Sequence, residues 1–324
     1  MNRTQLYLAG LLIVQVVLIL LVRSPFSVAS AGAEARALLP ALEAITPGQL
    51  EILGPDDESI RLVRKDGSWQ VESLDGFPAD EEKVEKLLDN LTDLRVRRPV
   101  VSSGRYHESF KVADDEYEGR IRLWSDTGSD ADVDLFLGSS PNFRTSHVRL
   151  AGEDAVYEVR GLSSHDVKPA SSGWIERELV QTDETLVVGF TLSNEAGEFE
   201  LVREDGIWQL RSPEGEGTLD QGKVDAFVRT ASSVRLDDAA GPVDPAAHGF
   251  SNPAATLVLR WSETPAAVDE EGGVRELTLT VGQQLPDNES RRYVTRDGFG
   301  FTGTVWESSI RRLLEEKLDD LMAS

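Results

Sequence analysis

The chain has 324 residues, enough for about two domains of ordinary size, and 40% of them are hydrophobic, which suffices for packed cores. Its 57 acidic and 33 basic residues give a net charge of −24, which opposes non-specific binding to nucleic acid and to anionic lipid surfaces. The absence of cysteine excludes disulfides, thiolate metal ligands, cysteine nucleophiles and a lipoprotein acylation site.

Residues 6–22 form an apolar run in which only Gln15 is strongly polar. Its length is at the lower limit of about 17 residues for a membrane-spanning helix. A removed signal peptide is the alternative, because small residues at 29–33 resemble cleavage sites. We expect residues 1–23 to be an uncleaved anchor whose positively charged N-terminus stays in the cytoplasm. Residues 24–44, rich in Ala and Ser, are expected to be a spacer.

The most informative stretch of the chain occurs twice. Residues 60–71 read IRLVRKDGSWQV, and residues 199–210 read FELVREDGIWQL. Asp-Gly between alternating runs predicts a β-hairpin, because a type I′ turn needs positive φ at both central residues. The residues that carry the repeat are Arg64, Asp66, Gly67 and Trp69 in the first copy and Arg203, Asp205, Gly206 and Trp208 in the second.

In each predicted hairpin the arginine lies opposite the tryptophan. Its guanidinium can then stack on the indole ring, a contact worth about 0.5–1 kcal/mol at an exposed site. An exposed tryptophan in each copy would form a ligand platform, whereas a buried one would close the edge of the core. We favour the core role, because tryptophan is largely buried on average.

A helix is predicted after each hairpin, within residues 78–94 and 219–234. Asp80 and Asp220 stand at the N-cap positions, before the first apolar residue. Apolar residues recur at helical spacing and match between the copies: Val84, Leu87, Leu88, Leu91 and Leu94 in the first, Val224, Phe227, Val228, Ala231 and Val234 in the second. This correspondence indicates a duplicated domain.

Short alternating runs predict the strands of both copies. They are residues 49–53, 100–103, 120–125, 133–138, 147–150 and 156–160 in the first copy, and 186–192, 256–261, 276–281 and 292–295 in the second. Residues 242–255, with three prolines, predict a loop, and Ser309 to Met322 predict a C-terminal helix. We therefore predict an α+β fold of two tandem homologous β-rich domains behind a transmembrane helix. Each domain, 45–180 and 181–324, has an antiparallel sheet and an amphipathic helix.

The sequence offers little catalytic chemistry. Nucleotide-binding loops, zinc-protease motifs and serine-hydrolase elbows are absent from it. The histidines share no ligand spacing; they are His107, His147, His165 and His248. Asp130, Asp132 and Asp134 resemble the start of a calcium loop, but Leu135 replaces the required glycine. The acidic run at residues 114–118 is expected to be solvated surface. We predict no catalytic, cofactor-binding or metal-binding residues.

The order of elements resembles an uncharacterised bacterial family of domains of unknown function. The resemblance rests on the N-terminal span, the DG-x-W-Q hairpins, the Asp-led helices and the strands ending in Leu137-Gly138 and Val281-Gly282. It covers about residues 45–324. Members of that family are single-span envelope proteins, often found beside gliding-motility-type ABC transporter components, and carry no accepted catalytic residues. The resemblance implies an auxiliary extracytoplasmic subunit working with a membrane permease and its ATPase.

We therefore expect a non-enzymatic auxiliary or scaffold subunit of an envelope ABC transporter complex. It would lie in the bacterial inner membrane, with the bulk of the chain periplasmic, without a cofactor and without a nucleic-acid partner. One alternative is a free-standing glycan- or peptide-binding module, with an exposed cleft containing Trp69, Trp208, Trp124 or Trp261. The other alternative is a hydrolase, which would need carboxylates that converge in one pocket.

Overall fold

The structure is a computed structural model that describes residues 34–56, 58–125, 130–215, 217–262 and 273–323. The predicted membrane anchor, residues 1–23, lies outside this part of the chain. Within it, no helix is both long and apolar enough to cross a membrane.

The fold is mostly β, with 45% of residues in strands and 20% in helices, and its strands pair antiparallel. The strands of the first half are β1 (Arg36–Ala37), β2 (Gln49–Leu53), β3 (Ser59–Lys65), β4 (Ser68–Val71), β5 (Phe77–Pro78), β6 (Arg95–Val96), β7 (Val101–Ser102), β8 (Gly119–Trp124), β9 (Val133–Leu137), β10 (Thr145–Leu150) and β11 (Ala155–Arg160). Those of the second half are β12 (Glu178–Gln181), β13 (Val187–Asn194), β14 (Gly197–Glu204), β15 (Ile207–Ser212), β16 (Ser233–Arg235), β17 (Asp238–Pro242), β18 (Ala255–Ser262), β19 (Val274–Leu285), β20 (Asn288–Arg296) and β21 (Phe301–Trp306).

Two large sheets organise these strands. Sheet 1 has the order β5-β4-β3-β2-β8-β9-β10-β11-β7, and sheet 2 has the order β15-β14-β13-β18-β19-β20-β21-β17. Apart from the extra strand β5, the two orders correspond strand for strand. A two-stranded sheet accompanies each, β1 with β6 and β12 with β16. We call residues 34–173 unit 1, residues 182–323 unit 2 and residues 174–181 the linker.

Both hairpins form in the predicted register. Arg64 lies opposite Trp69, and Arg203 lies opposite Trp208. The turn residues all have positive φ: Asp66 52°, Gly67 91°, Asp205 49° and Gly206 77°. This is the backbone geometry that a two-residue type I′ turn requires, and Asp-Gly tolerates it well.

The helices are α1 (Glu81–Thr92), α2 (His107–Phe110), α3 (Gln221–Ala231) and α4 (Arg311–Glu315). The predicted N-caps are confirmed for α1 and α3. The carboxylate of Asp80 accepts a hydrogen bond from the Lys83 amide at 2.9 Å, and that of Asp220 accepts one from the Lys223 amide at 3.2 Å. Apart from the partly buried Leu88, the ten apolar positions predicted for these two helices are at most 3% exposed. Both helices therefore pack their apolar stripes into the core.

The C-terminal segment differs from the single helix predicted for residues 309–322. The short α4 is followed by extended backbone at Glu316 and by a 3₁₀ turn at Leu318–Leu321. The side-chain amide of Asn194 donates to the carbonyls of Leu313 at 3.2 Å and Glu316 at 3.0 Å. These bonds take up carbonyls at the end of the helix, so the helix stops early.

Two further segments depart from the sequence expectation. Residues 242–255 were expected to form a loop, yet Pro242 ends strand β17, which pairs with β21. The end of the expected spacer, residues 36–44, is part of unit 1. There β1 pairs with β6, and Leu38, Leu39 and Leu42 are buried.

An aromatic contact joins the two units. Phe77 of β5 is fully buried, and its ring centroid lies 5.5 Å from that of Phe299 and 5.2 Å from that of Phe301. Phe77 belongs to the edge strand of sheet 1, whereas Phe301 belongs to β21 of sheet 2. The cores of the two units therefore meet at this point.

The linker hydrogen-bonds to both units. Ile175 forms an antiparallel bridge with Ala79 of unit 1. Arg177 forms two 2.7 Å bonds with Leu236 of unit 2, one accepted by its carbonyl and one donated by its side chain. Only Glu176 lies between these contacts, so the chain has no free spacer between the units.

Candidate functional site

The two repeated tryptophans are core residues. Trp69 is 1% exposed and Trp208 is 3% exposed. The Trp69 amide donates to Glu81 Oε1 at 2.6 Å, and the Trp208 amide donates to Gln221 Oε1 at 2.8 Å. Each hairpin is thereby joined to the first turn of the following helix. The core role that we favoured for these tryptophans matches their burial.

Both repeated arginines bond to their hairpin turn, and Arg203 also stacks on its tryptophan. Arg203 lies over the Trp208 ring, 5.6 Å from its centroid, as the stacking prediction expects. Arg64 donates from Nε to the Gly67 carbonyl at 3.0 Å, and Arg203 makes the same bond to Gly206 at 3.3 Å. Both arginines thus secure the hairpin turns.

The other tryptophans leave little aromatic surface for a cleft. Trp124 is 6% exposed, Trp174 is fully buried and Trp261 is partly buried. Trp306, which sequence reasoning did not single out, is 45% exposed. Of the four tryptophans that the binding-module alternative needs, three are therefore buried.

The aspartates that resembled a calcium loop have structural partners. Asp132 accepts bonds from the Ser125 amide at 2.6 Å and hydroxyl at 2.8 Å, which hold the pKa of its carboxyl below the usual range. Asp134 pairs with Arg120 at 2.6 Å and with Arg122 at 3.6 Å. Within the described ranges, no three His, Asp or Glu side chains are placed to hold a metal ion.

The acidic run at residues 114–118 fastens a loop to sheet 1. Asp114 accepts a 2.6 Å hydrogen bond from Arg149, whose side chain is 3% exposed, and this bond is the main cause of the lowered pKa of Asp114. Arg149 also donates to the Val112 carbonyl at 2.6 Å. Glu118 pairs with Lys111, which raises the pKa of that lysine. The run is therefore surface with a structural role.

The structure does not bring the four histidines together as a site. His147 Nδ1 lies 3.1 Å from the Ser139 hydroxyl, and His248 Nδ1 lies 3.0 Å from the Thr302 hydroxyl. The Ser139 hydroxyl also donates to the Phe110 carbonyl at 3.1 Å, so it can only accept from His147. These contacts hold loops against the two sheets.

A cleft of about 900 Å³ lies where the units and the linker meet. Carboxylates line this cleft, as the hydrolase alternative requires. Several of them are already engaged: Asp80 caps α1, Glu81 accepts from the Trp69 amide, Glu176 accepts from the Glu178 amide at 2.7 Å, and Glu178 pairs with Arg235 at 3.4 Å. These carboxylates serve local structure, so their convergence has a structural explanation.

In each unit a lysine of the long helix donates a hydrogen bond to a carbonyl near the end of that unit. Lys83 of α1 donates to the Gly173 carbonyl, and its Nζ lies 4.2 Å from the centroid of the Trp174 ring. Burial lowers the pKa of Lys83. Lys223 of α3 donates to the Met322 carbonyl at 3.0 Å. Each lysine thus ties its helix to the segment that ends its unit.

The outer faces of the two sheets differ at matching positions. On sheet 1, Glu51 pairs with Arg61 at 2.8 Å and with Arg122 at 3.1 Å. In the same register, sheet 2 has Thr191 in place of Glu51 and Val258 in place of Arg122. Sheet 2 instead has an ion pair between Arg260 and Glu200 at 2.8 Å, so similar backbones present different arrangements of charged side chains in the two units.

The described residues thus define a mostly β protein of two large sheets, each with an Asp-capped helix, joined by a shared linker. The family model called domain of unknown function DUF4340 matches residues 69–253, more than half of the chain, and the chain belongs to this family. The match begins at Trp69 and extends beyond α3, so it includes parts of both units. No curated protein and no solved structure matches the chain significantly.

Proposed function

We propose that the chain is a non-enzymatic auxiliary or scaffold subunit of an envelope ABC transporter complex. Residues 6–22 would anchor it in the inner membrane, with the folded units on the extracytoplasmic side. The apolar N-terminal run and its flanking arginines support this placement. The order of elements supports the link to a transporter permease and its ATPase, since it resembles envelope proteins found beside such components.

The observation that carries the scaffold role is the burial of Trp69, Trp124 and Trp208, none more than 6% exposed. A glycan- or peptide-binding cleft built on these aromatic rings would need them at the surface. The surface is instead made of strand faces and sheet edges, which are suited to docking other proteins.

We also propose that units 1 and 2 arose by duplication. The shared strand order, the Asp caps and the closing lysines support this origin. A duplicated body whose two outer faces carry different arrangements of charged side chains can hold two different partners at a fixed separation. This property fits a scaffold better than it fits a single small-molecule site.

The test is chemical crosslinking in native membranes, followed by detergent extraction, affinity isolation and mass spectrometry. We expect the tagged full chain to recover a permease and its ATPase. The matched control is residues 1–33 carrying the same tag, which retain the anchor and lack both units. Recovery of the same transporter components by this control, or their absence from the full-chain sample, would overturn the proposal.

A further inference from the structure

One edge of unit 1 concentrates positive charge in an otherwise acidic protein. Residues 95–106 read RVRRPVVSSGRY, with four arginines and no acidic residue, while the whole chain has a net charge of −24. This stretch includes β6 and the edge strand β7. We call these residues, together with Arg36 and Arg160, the basic edge.

Neighbouring strands add the last two arginines to this edge. Arg36 of β1 pairs with Val96 of β6. β11 runs antiparallel to β7, with Val156 opposite Val101. Continuing that register places Arg160 level with Arg97. The charge therefore comes from three separate segments that the fold brings side by side.

The arginines of the basic edge are not neutralised by carboxylates. Arg97, Arg98 and Arg160 are exposed and have no ion pair or side-chain hydrogen bond within the described residues. The others bond to neutral oxygens: Arg95 to the Thr92 carbonyl at 2.7 Å, Arg36 to the Tyr157 hydroxyl at 2.9 Å and Arg105 to the Tyr106 hydroxyl at 2.6 Å.

Elsewhere in unit 1 arginines are commonly paired with acids. Arg61, Arg120, Arg122 and Arg149 each form an ion pair with a carboxylate. The exposed acidic residues next to the basic edge include Glu34, Asp93, Glu108, Asp154 and Glu158, and within the described residues none of them forms an ion pair with its arginines. The arginines of the basic edge are therefore available to bind an external anion.

Apolar side chains are interleaved with these arginines. Val100 is 45% exposed and Tyr106 is 37% exposed, and the exposed Pro99 precedes Val100. Exposed arginines beside a tyrosine and small apolar residues are the composition of surfaces that lie in the headgroup region of a bilayer. An arginine there binds lipid phosphate while its apolar stem stays in the interface.

The corresponding edge of unit 2 lies against unit 1. β17, which matches β7 in strand order, packs near β5 of unit 1. Asp237, just before β17, pairs with Arg291 at 2.5 Å. This edge is thus occupied by the chain itself, whereas the basic edge of unit 1 is exposed.

The basic edge lies close in sequence to the apolar run. The chain between Arg23 and Arg36 reaches at most about 45 Å when extended. We propose that the basic edge binds the surface of the membrane that holds the anchor, through the phosphates of anionic phospholipid headgroups. This proposal rests on the proposed anchoring and fixes which side of unit 1 faces the bilayer.

The net charge of −24 does not prevent this binding. At physiological ionic strength the screening length is about 8 Å, so acidic residues on remote surfaces have little effect at the basic edge. Arginines at an anionic membrane surface act locally, and each changes the ratio of bound to free edge by about fivefold.

The test uses the full chain in vesicles and exploits its lack of cysteine. A fluorophore is attached to Ser102→Cys on β7, or to Ser290→Cys on β20 as the control, and both positions are exposed. Energy transfer to an acceptor lipid is measured in pure phosphatidylcholine and in a mixture containing phosphatidylglycerol. We expect phosphatidylglycerol to increase transfer from Ser102→Cys and not from Ser290→Cys. Raising the salt from about 0.1 M to about 1 M should abolish the increase.

Charge reversal identifies the residues responsible. R97E/R98E should lower the ratio of bound to free edge by at least about 25-fold, since it removes two arginines and adds repulsion. The matched control, R211E/R311E, reverses two exposed arginines of unit 2 and should leave transfer unchanged. Equal transfer in the two lipids, no effect of R97E/R98E, or an equal effect of the control would overturn the proposal. The proposal would also be overturned if soluble polyphosphate, at equal phosphate concentration, removed the effect of phosphatidylglycerol. The edge would then be a general polyanion site.

Failure of the anchor gives a different signature. Flotation with pure phosphatidylcholine vesicles measures membrane insertion without a contribution from anionic lipid. Loss of flotation there would refute the anchoring, whereas flotation without a phosphatidylglycerol effect on transfer would refute the basic edge alone.

Discussion

Two glycines at matching positions of the sheets allow a sharp test of how loops pack on them. Gly138 follows β9, and Gly282 occupies the same register of β19. A Cβ atom added at Gly138 would lie 2.1 Å from the Phe110 carbonyl oxygen, and one at Gly282 would lie 2.0 Å from that of His248. In each unit the loop backbone rests directly on the glycine.

We expect G138A and G282A each to destabilise the fold by about 3 kcal/mol. Relief of either clash requires the loop backbone to move by roughly 1 Å, and such overpacking typically costs about 1–3 kcal/mol or more. The melting temperature should fall by about 6–12 °C, since 1 kcal/mol corresponds to about 2–4 °C for units of this size. Urea unfolding and calorimetry measure both quantities.

The control is G215A, because a Cβ there meets nothing within 4 Å. It should change the free energy of unfolding by less than about 0.5 kcal/mol. If G138A or G282A changed stability as little as this control, the close approach of loop and strand would be refuted.

Three further predictions follow from contacts described above. Asp80→Ala and Asp220→Ala should each lower the free energy of unfolding by about 1 kcal/mol, with Asn at either position costing less; equal stability of the Ala and Asn variants would contradict the capping role. Trp306→Phe should remove most of the tryptophan fluorescence that acrylamide quenches, because its ring is 45% exposed; unchanged quenching would place another tryptophan at the surface. Asp114→Asn should destabilise the fold by less than about 1 kcal/mol at neutral pH, since the carboxylate is largely exposed. The Arg149 bond lowers the pKa of Asp114. The stability difference between the natural chain and Asp114→Asn is therefore fully present above the ordinary carboxyl pKa, and it disappears as the pH falls through the lowered pKa. A difference that persists in strong acid would refute the pairing.

The features that the sequence predicted correctly depend on neighbouring residues. Asp-Gly determines each hairpin turn because few other pairs accept positive φ at both positions. An aspartate before a periodic apolar run identifies the start of α1 and of α3. In these elements the chain a few residues away supplies the deciding interaction, so the pattern alone is enough.

The features that the sequence did not predict depend on distant residues. Helix α4 ends where Asn194, from a turn far away in the chain, takes up its carbonyls. The proline and glycine in β17 read as loop signals, because its pairing with β21 cannot be seen locally. The basic edge is visible in part as RVRRP, but only the fold adds Arg36 and Arg160 to it.

The linker has a mechanical consequence. Bonds to both units lie within three consecutive residues, from Ile175 to Arg177, and the ring of Phe77 fills the junction beside them. Bending between the units would therefore break hydrogen bonds and open an aromatic core, so the low-energy response to a load is rotation of the whole body. A displacement imposed on one unit is therefore transmitted to the other unit, as by a rigid lever.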